Sequence, residues 1–148
     1  GRSVHSLSEA LARFGCSLTF ISPTSLTMPR EIISDLRNSG VSIEETGDLH
    51  GSIENIDVIY MTRIQKERFP DEDEYHKVAG VFKLNRSDLS SAKKNMIIMH
   101  PLPRVDEISP DVDSTVHAKY FEQAFYGVVA RMSLLCRLLG VSVPEVSQ

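Results

Sequence analysis

The stretch Asn95–Val112, NMIIMHPLPRVDEISPDV, decides how the rest of the chain is read. Met96 to Met99 is an apolar run with the length and composition of a buried strand. It stops at His100, and Pro101 and Pro103 follow with Leu102 between them. Proline lacks an N–H, so this turn is poor in donors and rich in carbonyl acceptors. A cis bond before a proline would aim those carbonyls into a cleft, although such bonds are uncommon by default. Arg104, Asp106 and Glu107 come next. Asp106 or Glu107 is placed to hold Arg104 or to reach another loop. The stretch fits either a plain strand-ending turn or a ligand site at the carboxyl end of a strand.

Upstream, helical and strand-like patterns alternate. Val4, Leu7, Leu11 and Phe14 recur at helical spacing until Gly15, and SLTFIS (17–22) then alternates like a strand. MPREIISDLRNSG predicts a helix with Pro29 in its first turn, an apolar face of Ile32, Ile33 and Leu36, and Gly40 at its end. VSIEET is a short strand, DLHGSIENI a loop with one helical turn, and DVIYMT (57–62) a buried strand. RIQKERFPDEDEYHKVAG is polar and acidic in its second half, and reads as a mobile surface loop with a helical piece at 73–78. RSDLSSAKKN predicts a helix capped by Ser87. TVHAKYFEQAF and YGVVARMSLLCRLLG predict two more, the second ended by Gly140, and 141–148 is a tail. The fold class expected is α/β: a parallel sheet with helices on both faces, three layers in all. The first element is a helix with no strand before it, so the chain is expected to begin just after a strand end.

The chain has 148 residues and a formal net charge of −4. That size allows a real core, and the charge argues against a general nucleic-acid surface. No apolar run approaches the ~20 residues of a membrane span. Gly1-Arg2-Ser3 leads into an amphipathic pattern and not an apolar leader, so a cytoplasmic protein is expected. The absence of an initiator methionine suggests a piece of something longer. Cys16 and Cys136 lack metal spacing and read as reduced core thiols. His5, His50, His76 and His117 show no ligand spacing; His100 is expected to shape its turn by a hydrogen bond. No Gly-rich dinucleotide or phosphate loop and no nucleophile elbow appears, so no cofactor and no metal are expected.

Arg63, Gln65, Lys66, Glu67 and Arg68 follow the 57–62 strand directly. A guanidinium grips a carboxylate through a planar fork, Gln65 can add an amide donor, and Glu67 can brace Arg63 from behind. The same run also fits a solvated helix face with an Arg63/Glu67 pair. Arg2 sits at the start of a helix, where anions are favoured. Two arginines, a glutamine and the carbonyls of a proline turn suit a dicarboxylate bearing an amine.

GRSVHSL (1–7), YMTRIQKERF (60–69), MHPLPRVDEI (99–108) and HAKYFEQAFYGVVARMSLL (117–135) together resemble the aspartate-binding half of aspartate transcarbamoylase catalytic chains, from Gly1 to about Gly140. Ornithine transcarbamoylases share the fold but carry a cysteine in the turn and use a Ser-Met-Gly loop, neither of which is present. The resemblance implies that residues 1–140 form an aspartate-binding domain. Arg2 would take the α-carboxylate of L-aspartate, and Arg63 and Gln65 the β-carboxylate, with Glu67 orienting Arg63. Pro101, Leu102 and Pro103, the last after a cis bond, would receive the carbamoyl amide and the attacking amine. Residues 64–78 would close over substrate, with Tyr75 as latch and Asp106 as its partner. The resemblance further implies a homotrimer, leaves open a regulatory chain, and leaves the carbamoyl-phosphate domain outside this chain, which alone is expected to be inactive. Two other readings stand beside it: a transcarbamoylase for another amino acid, and a non-catalytic assembly domain that keeps the fold.

Overall fold

The computed structural model describes residues 2–64, 71, 73, 75 and 81–141, apart from the side chain of Arg2. The chain divides into two compact units, Gly1–Ser52 and Ile53–Gln148.

In the first unit, helix α1 (Arg2–Ala12) packs against helix α2 (Arg30–Asn38). Strand β1 (Leu18–Ile21) pairs in parallel with β2 (Ile43–Thr46), in the register Leu18↔Ile43 to Ile21↔Thr46. A parallel pair needs a crossover, and α2 supplies it. Pro29 precedes the first turn of α2, where a missing N–H costs nothing. Ile33 and Leu36 are its buried face. The helix ends where Gly40 takes φ +83°, a conformation costly for any residue with a Cβ. Met28, Val41 and Leu49, the last in the short helix α3 (Leu49–Ser52), are also buried.

In the second unit, β3 (Val58–Tyr60) pairs in parallel with β4 (Ile97–Met99), with Tyr60 opposite Met99. Pairing runs one step further, Met61 N–H donating to Met99 O at 2.9 Å. On its other side Ile98 bridges Ala118: its N–H donates to His117 O at 2.8 Å, and its carbonyl accepts from Lys119 N–H at 3.0 Å. β4 is therefore hydrogen-bonded along both edges, and its Ile98, like Met96 just before it, is buried. Around it lies a core of Ile53, Ile59, Leu84, Leu89, Met96, Ile98, Ile108, Val112 and Tyr120, with Leu102 packed against it. Parallel strand pairs with intervening helices make this an α/β protein, as expected.

Three details depart from the sequence pattern. The helix expected over 86–95 is a 3₁₀ helix, Arg86–Ser91. Its N-cap is Asn85 and not Ser87, because Asn85 and Asp88 form a reciprocal capping box, with Asn85 N–H donating to Asp88 Oδ2 at 2.7 Å. The two helices expected after Ser114 are one helix, α4 (Tyr120–Leu139), closed by Gly140 at φ +66°. The Ala118–Ile98 bridge draws 117–119 alongside β4, so helical geometry begins only at Tyr120.

α4 is anchored by buried Tyr120, but Phe125, Tyr126, Met132, Leu135, Leu138 and Leu139 lie exposed along it. Among the described residues, no helix is long and apolar enough to cross a membrane.

Ile98 has no exposed surface and sits within the buried core cluster. Ile98→Ala is expected to lower unfolding free energy by about 2–5 kcal/mol, read as a shift in urea midpoint at unchanged m-value.

Candidate active site

The register of β3 and β4 sets the site. Because Tyr60 faces Met99, the segments leaving the two strands start side by side at their carboxyl ends. One carries Arg63, which is exposed; the other is the turn 100–104. Ligands in open parallel sheets bind in this position.

Two polar clusters hold the turn. The first is built on His100 and Glu107, only 2% and 5% exposed. His100 Nδ1 accepts from Leu102 N–H at 2.8 Å, and Nε2 lies 2.7 Å from Glu107 Oε1. An Nδ1 that accepts carries no proton, so the ring proton sits on Nε2 and points at the carboxylate. The second carboxylate oxygen accepts from Val105 N–H at 3.1 Å and Asp106 N–H at 3.2 Å. His100 N–H itself donates to Gln123 Oε1 on α4 at 2.9 Å. Buried polar groups survive only with such partners.

The second cluster is built on Arg104. Its guanidinium forks onto Asp113, Nη2 donating to Oδ2 at 2.6 Å and Nη1 to Oδ1, and Nη1 also reaches Tyr120 Oη at 3.2 Å. The Tyr120 hydroxyl donates to Asp113, and the Arg104 Cζ stands 5.5 Å from the Tyr120 ring centroid. Arg104 is therefore held by Asp113, not by Asp106 or Glu107 as the adjacent charges suggest: Glu107 is already committed to His100 and two backbone N–H groups. The Arg104 guanidinium beside Asp113 holds that carboxyl below its ordinary value, with the Tyr120 hydroxyl assisting. Burial, followed by the Asp113 carboxylate, pushes the Tyr120 phenol up to about 12. The same carboxylate raises the Arg104 guanidinium further.

Between these clusters the backbone is unusual. Leu102 has φ +51°, and the Leu102–Pro103 bond is cis. The left-handed region costs a residue with a Cβ about 1–2 kcal/mol. A glycine would avoid that cost but could not bury a side chain against the core as Leu102 does. Among the described residues, no backbone N–H from another loop or strand donates to the carbonyl oxygen of Pro101 or of Leu102. The turn thus presents acceptors on a backbone fixed at both ends. A shallow cavity of about 330 Å³ lined by Arg86, Ser90, Ser114 and His117 shares no residue with this turn.

Residues 1–138 match the family described as aspartate/ornithine carbamoyltransferase, Asp/Orn binding domain. The chain belongs to this carbamoyltransferase family. It is 53% identical over 143 residues to the aspartate carbamoyltransferase catalytic subunit of Methanocella arvoryzae, covering 97% of this chain and 46% of that one. The corresponding subunit of Thermococcus onnurineus is 56% identical over 141 residues, at 95% and 46% coverage. Among solved structures, the catalytic subunit of M. jannaschii aspartate transcarbamoylase superposes with a TM-score of 0.88 at 49% identity, covering 95% of this chain and 45% of that one. The Trypanosoma cruzi aspartate transcarbamoylase in complex with carbamoyl phosphate and aspartate gives 0.82 at 38% identity, covering 91% and 46%. The chain thus spans about half the length of the carbamoyltransferases it matches.

Of the residues singled out in the sequence, the structure joins Pro101, Leu102 and Pro103 in one fixed turn and brings Arg63 off the neighbouring strand. Arg2 opens α1 in the first unit. Gln65 and Glu67 lie outside the described residues, as does most of 64–78. Tyr75 is described, its N–H donating to Asp71 O at 3.3 Å, and Asp106 is exposed. The sequence reading missed Gln123, Asp113 and Tyr120. Each touches the turn from another segment, and no local pattern marks such a contact.

A carboxylate with a depressed pKa stabilises the fold above its unfolded value of 3.8 and loses that contribution as pH falls through the folded one. A phenol with a raised pKa stabilises below 10.0 and loses that contribution as pH climbs to about 12. The melting-temperature advantage of wild type over Asp113→Asn should therefore be full at neutral pH and shrink at both extremes. A constant difference across calorimetric scans in that range would show that the cluster contributes no linked stability.

Proposed function

We propose that this chain is the aspartate-binding half of an aspartate carbamoyltransferase, moving the carbamoyl group of carbamoyl phosphate to the amine of L-aspartate. The products are N-carbamoyl-L-aspartate and phosphate, a step of pyrimidine biosynthesis. One observation carries this reading in a chain of this family: β3 and β4, paired at Tyr60↔Met99, deliver an arginine and an acceptor-rich turn to the same sheet edge. That combination suits a substrate with an anionic side chain and a reactive N–H group.

In this reading residues 1–140 are the aspartate domain, and 141–148 a tail. Arg63 and Gln65 grip the β-carboxylate, Glu67 orients Arg63, and Arg2 takes the α-carboxylate. The amine nitrogen attacks the carbamoyl carbon, the bond from that carbon to the phosphate oxygen breaks, and the proton lost by the amine goes to the departing phosphate. Positive charge develops on the attacking nitrogen, so an N–H···O=C bond to Leu102 strengthens as the transition state forms. A bond stronger there than in the ground state lowers the barrier. The Pro101 carbonyl accepts from the carbamoyl amide, and Pro103 keeps the turn free of competing N–H groups. The chain supplies no nucleophile of its own; its contribution is placement and charge. Residues 64–78 close over substrate, with Tyr75 latching to Asp106. Carbamoyl phosphate is held by a companion half, against which the exposed apolar side of α4 packs. The whole works as a cytoplasmic homotrimer, with or without a regulatory chain.

The test is Arg63→Ala in an active catalytic subunit carrying this chain. Removing one partner of a desolvated charge pair costs about 2–5 kcal/mol. kcat/KM for aspartate should fall accordingly, by about 1.5 to 3.5 orders of magnitude, with turnover on other amino acids no better than in wild type. Unchanged steady-state constants for aspartate would refute the role. A wild-type subunit that prefers another amino acid would refute the substrate, and one that binds no bisubstrate analogue would favour the assembly reading.

A further inference from the structure

We propose that His100 and Glu107 are positioning residues that aim the Pro101 carbonyl at the reacting groups; this rests on the carbamoyl-transfer reading of the same turn. The argument begins with the planarity of the peptide unit. In the Pro101–Leu102 peptide, the Pro101 C=O and the Leu102 N–H lie in one plane and point in opposite directions. His100 Nδ1 holds that N–H inward at 2.8 Å, which fixes the Pro101 oxygen outward. Only an unprotonated Nδ1 can do this, so the ring must carry its proton on Nε2.

Glu107 enforces that choice. Its carboxylate accepts at Oε1 from Nε2–H and at Oε2 from two backbone N–H groups, Val105 and Asp106. An anion with both oxygens engaged offers the ring only acceptors, so the opposite tautomer loses its partner. The ring is also fixed along the chain, because His100 N–H is tied to Gln123 Oε1. Closing a turn between a strand and a loop requires no buried ion-pairable couple; a turn of prolines and apolar side chains would close as well. What the couple adds is one orientation of one carbonyl, fixed before substrate arrives.

Two substitutions separate this role from plain stability. Asparagine places an amide oxygen where Nδ1 stood and keeps the acceptor for Leu102 N–H. Glutamine places an amide nitrogen near Nε2 and keeps the contact with Glu107 while losing that acceptor. In an active subunit, His100→Gln should lower kcat about 10²-fold, with KM for aspartate little changed, because the carboxylates are gripped elsewhere. His100→Asn should lose at least several-fold less. Glu107→Gln, which puts an amide donor among donors, should resemble His100→Gln. Melting curves on the same samples give the folded fraction. Equal kcat losses for the Asn and Gln variants, or losses that follow the folded fraction alone, would overturn the proposal. A second measurement does not depend on folding of a variant or on turnover: ¹⁵N shifts of the wild-type His100 ring, where an Nε2–H tautomer supports the proposal and an Nδ1–H or doubly protonated ring at neutral pH refutes it. If wild type shows that tautomer but does not carbamoylate aspartate, the substrate reading fails while the geometry of the turn stands.

Discussion

The carboxylate of Glu107 is the point on which the candidate site depends. It is buried, and a buried carboxylate is tolerated only when its oxygens are fully engaged. Here one oxygen meets His100 and the other two backbone N–H groups, so the charge and the turn are mutually required. Remove the turn and the charge is stranded; remove the charge and the turn loses its internal hub. The Arg104–Asp113–Tyr120 cluster performs the same service on the far side, tying the exit of the turn to the first residue of α4. Between the two clusters there is little freedom left for residues 101–103, which is why a leucine can persist at φ +51°.

The same residues serve the fold and the site. Leu102 faces two ways: its side chain packs against the buried core, and its carbonyl belongs to the acceptor set. Tyr120 starts α4, fills the core and engages Asp113. Ile98 bonds to Lys119 and His117, and the strand it belongs to feeds the turn. Placing binding groups on the end of a strand held on both sides gives them the rigidity of the sheet rather than that of a loop.

How much of this was legible in the chain follows from the range of each interaction. The strands were, because runs such as Met96–Met99 are apolar at every position, the pattern typical of strands in a parallel sheet. The breaks at Gly15, Gly40 and Gly140 were, because all three adopt positive φ. The start of α4 was not: helical spacing extends back through Thr115, and only the bridge from Ala118 to Ile98, twenty positions away in sequence, overrides it. The partner of Arg104 was not either. Asp106 and Glu107 are its nearest anions along the chain, but Glu107 is occupied, and the chain reverses so that Asp113 arrives opposite the guanidinium. Within the site, the proline turn and Arg63 stood out as residue types, and His100 was expected to shape the turn by a hydrogen bond. Which nitrogen makes that bond, and to what, depends on the burial of Glu107, and burial of a charge has no local sequence signal.

The two ends of the second unit are in different physical situations. At the strand ends, each buried side-chain polar atom among the described residues of the turn finds its partner within this chain. The acceptor geometry is therefore complete without a companion. Along α4 the opposite holds: Phe125, Met132, Leu135 and Leu138 meet solvent, and apolar side chains on so many sides of one helix are the pattern of a helix built to be covered. Burying a single such side chain is worth about 1.5–3 kcal/mol, so a surface packed on α4 would add stability without touching the turn. Covering α4 would then stabilise the second unit, while the backbone of the turn is held by His100 and Glu107 within this chain.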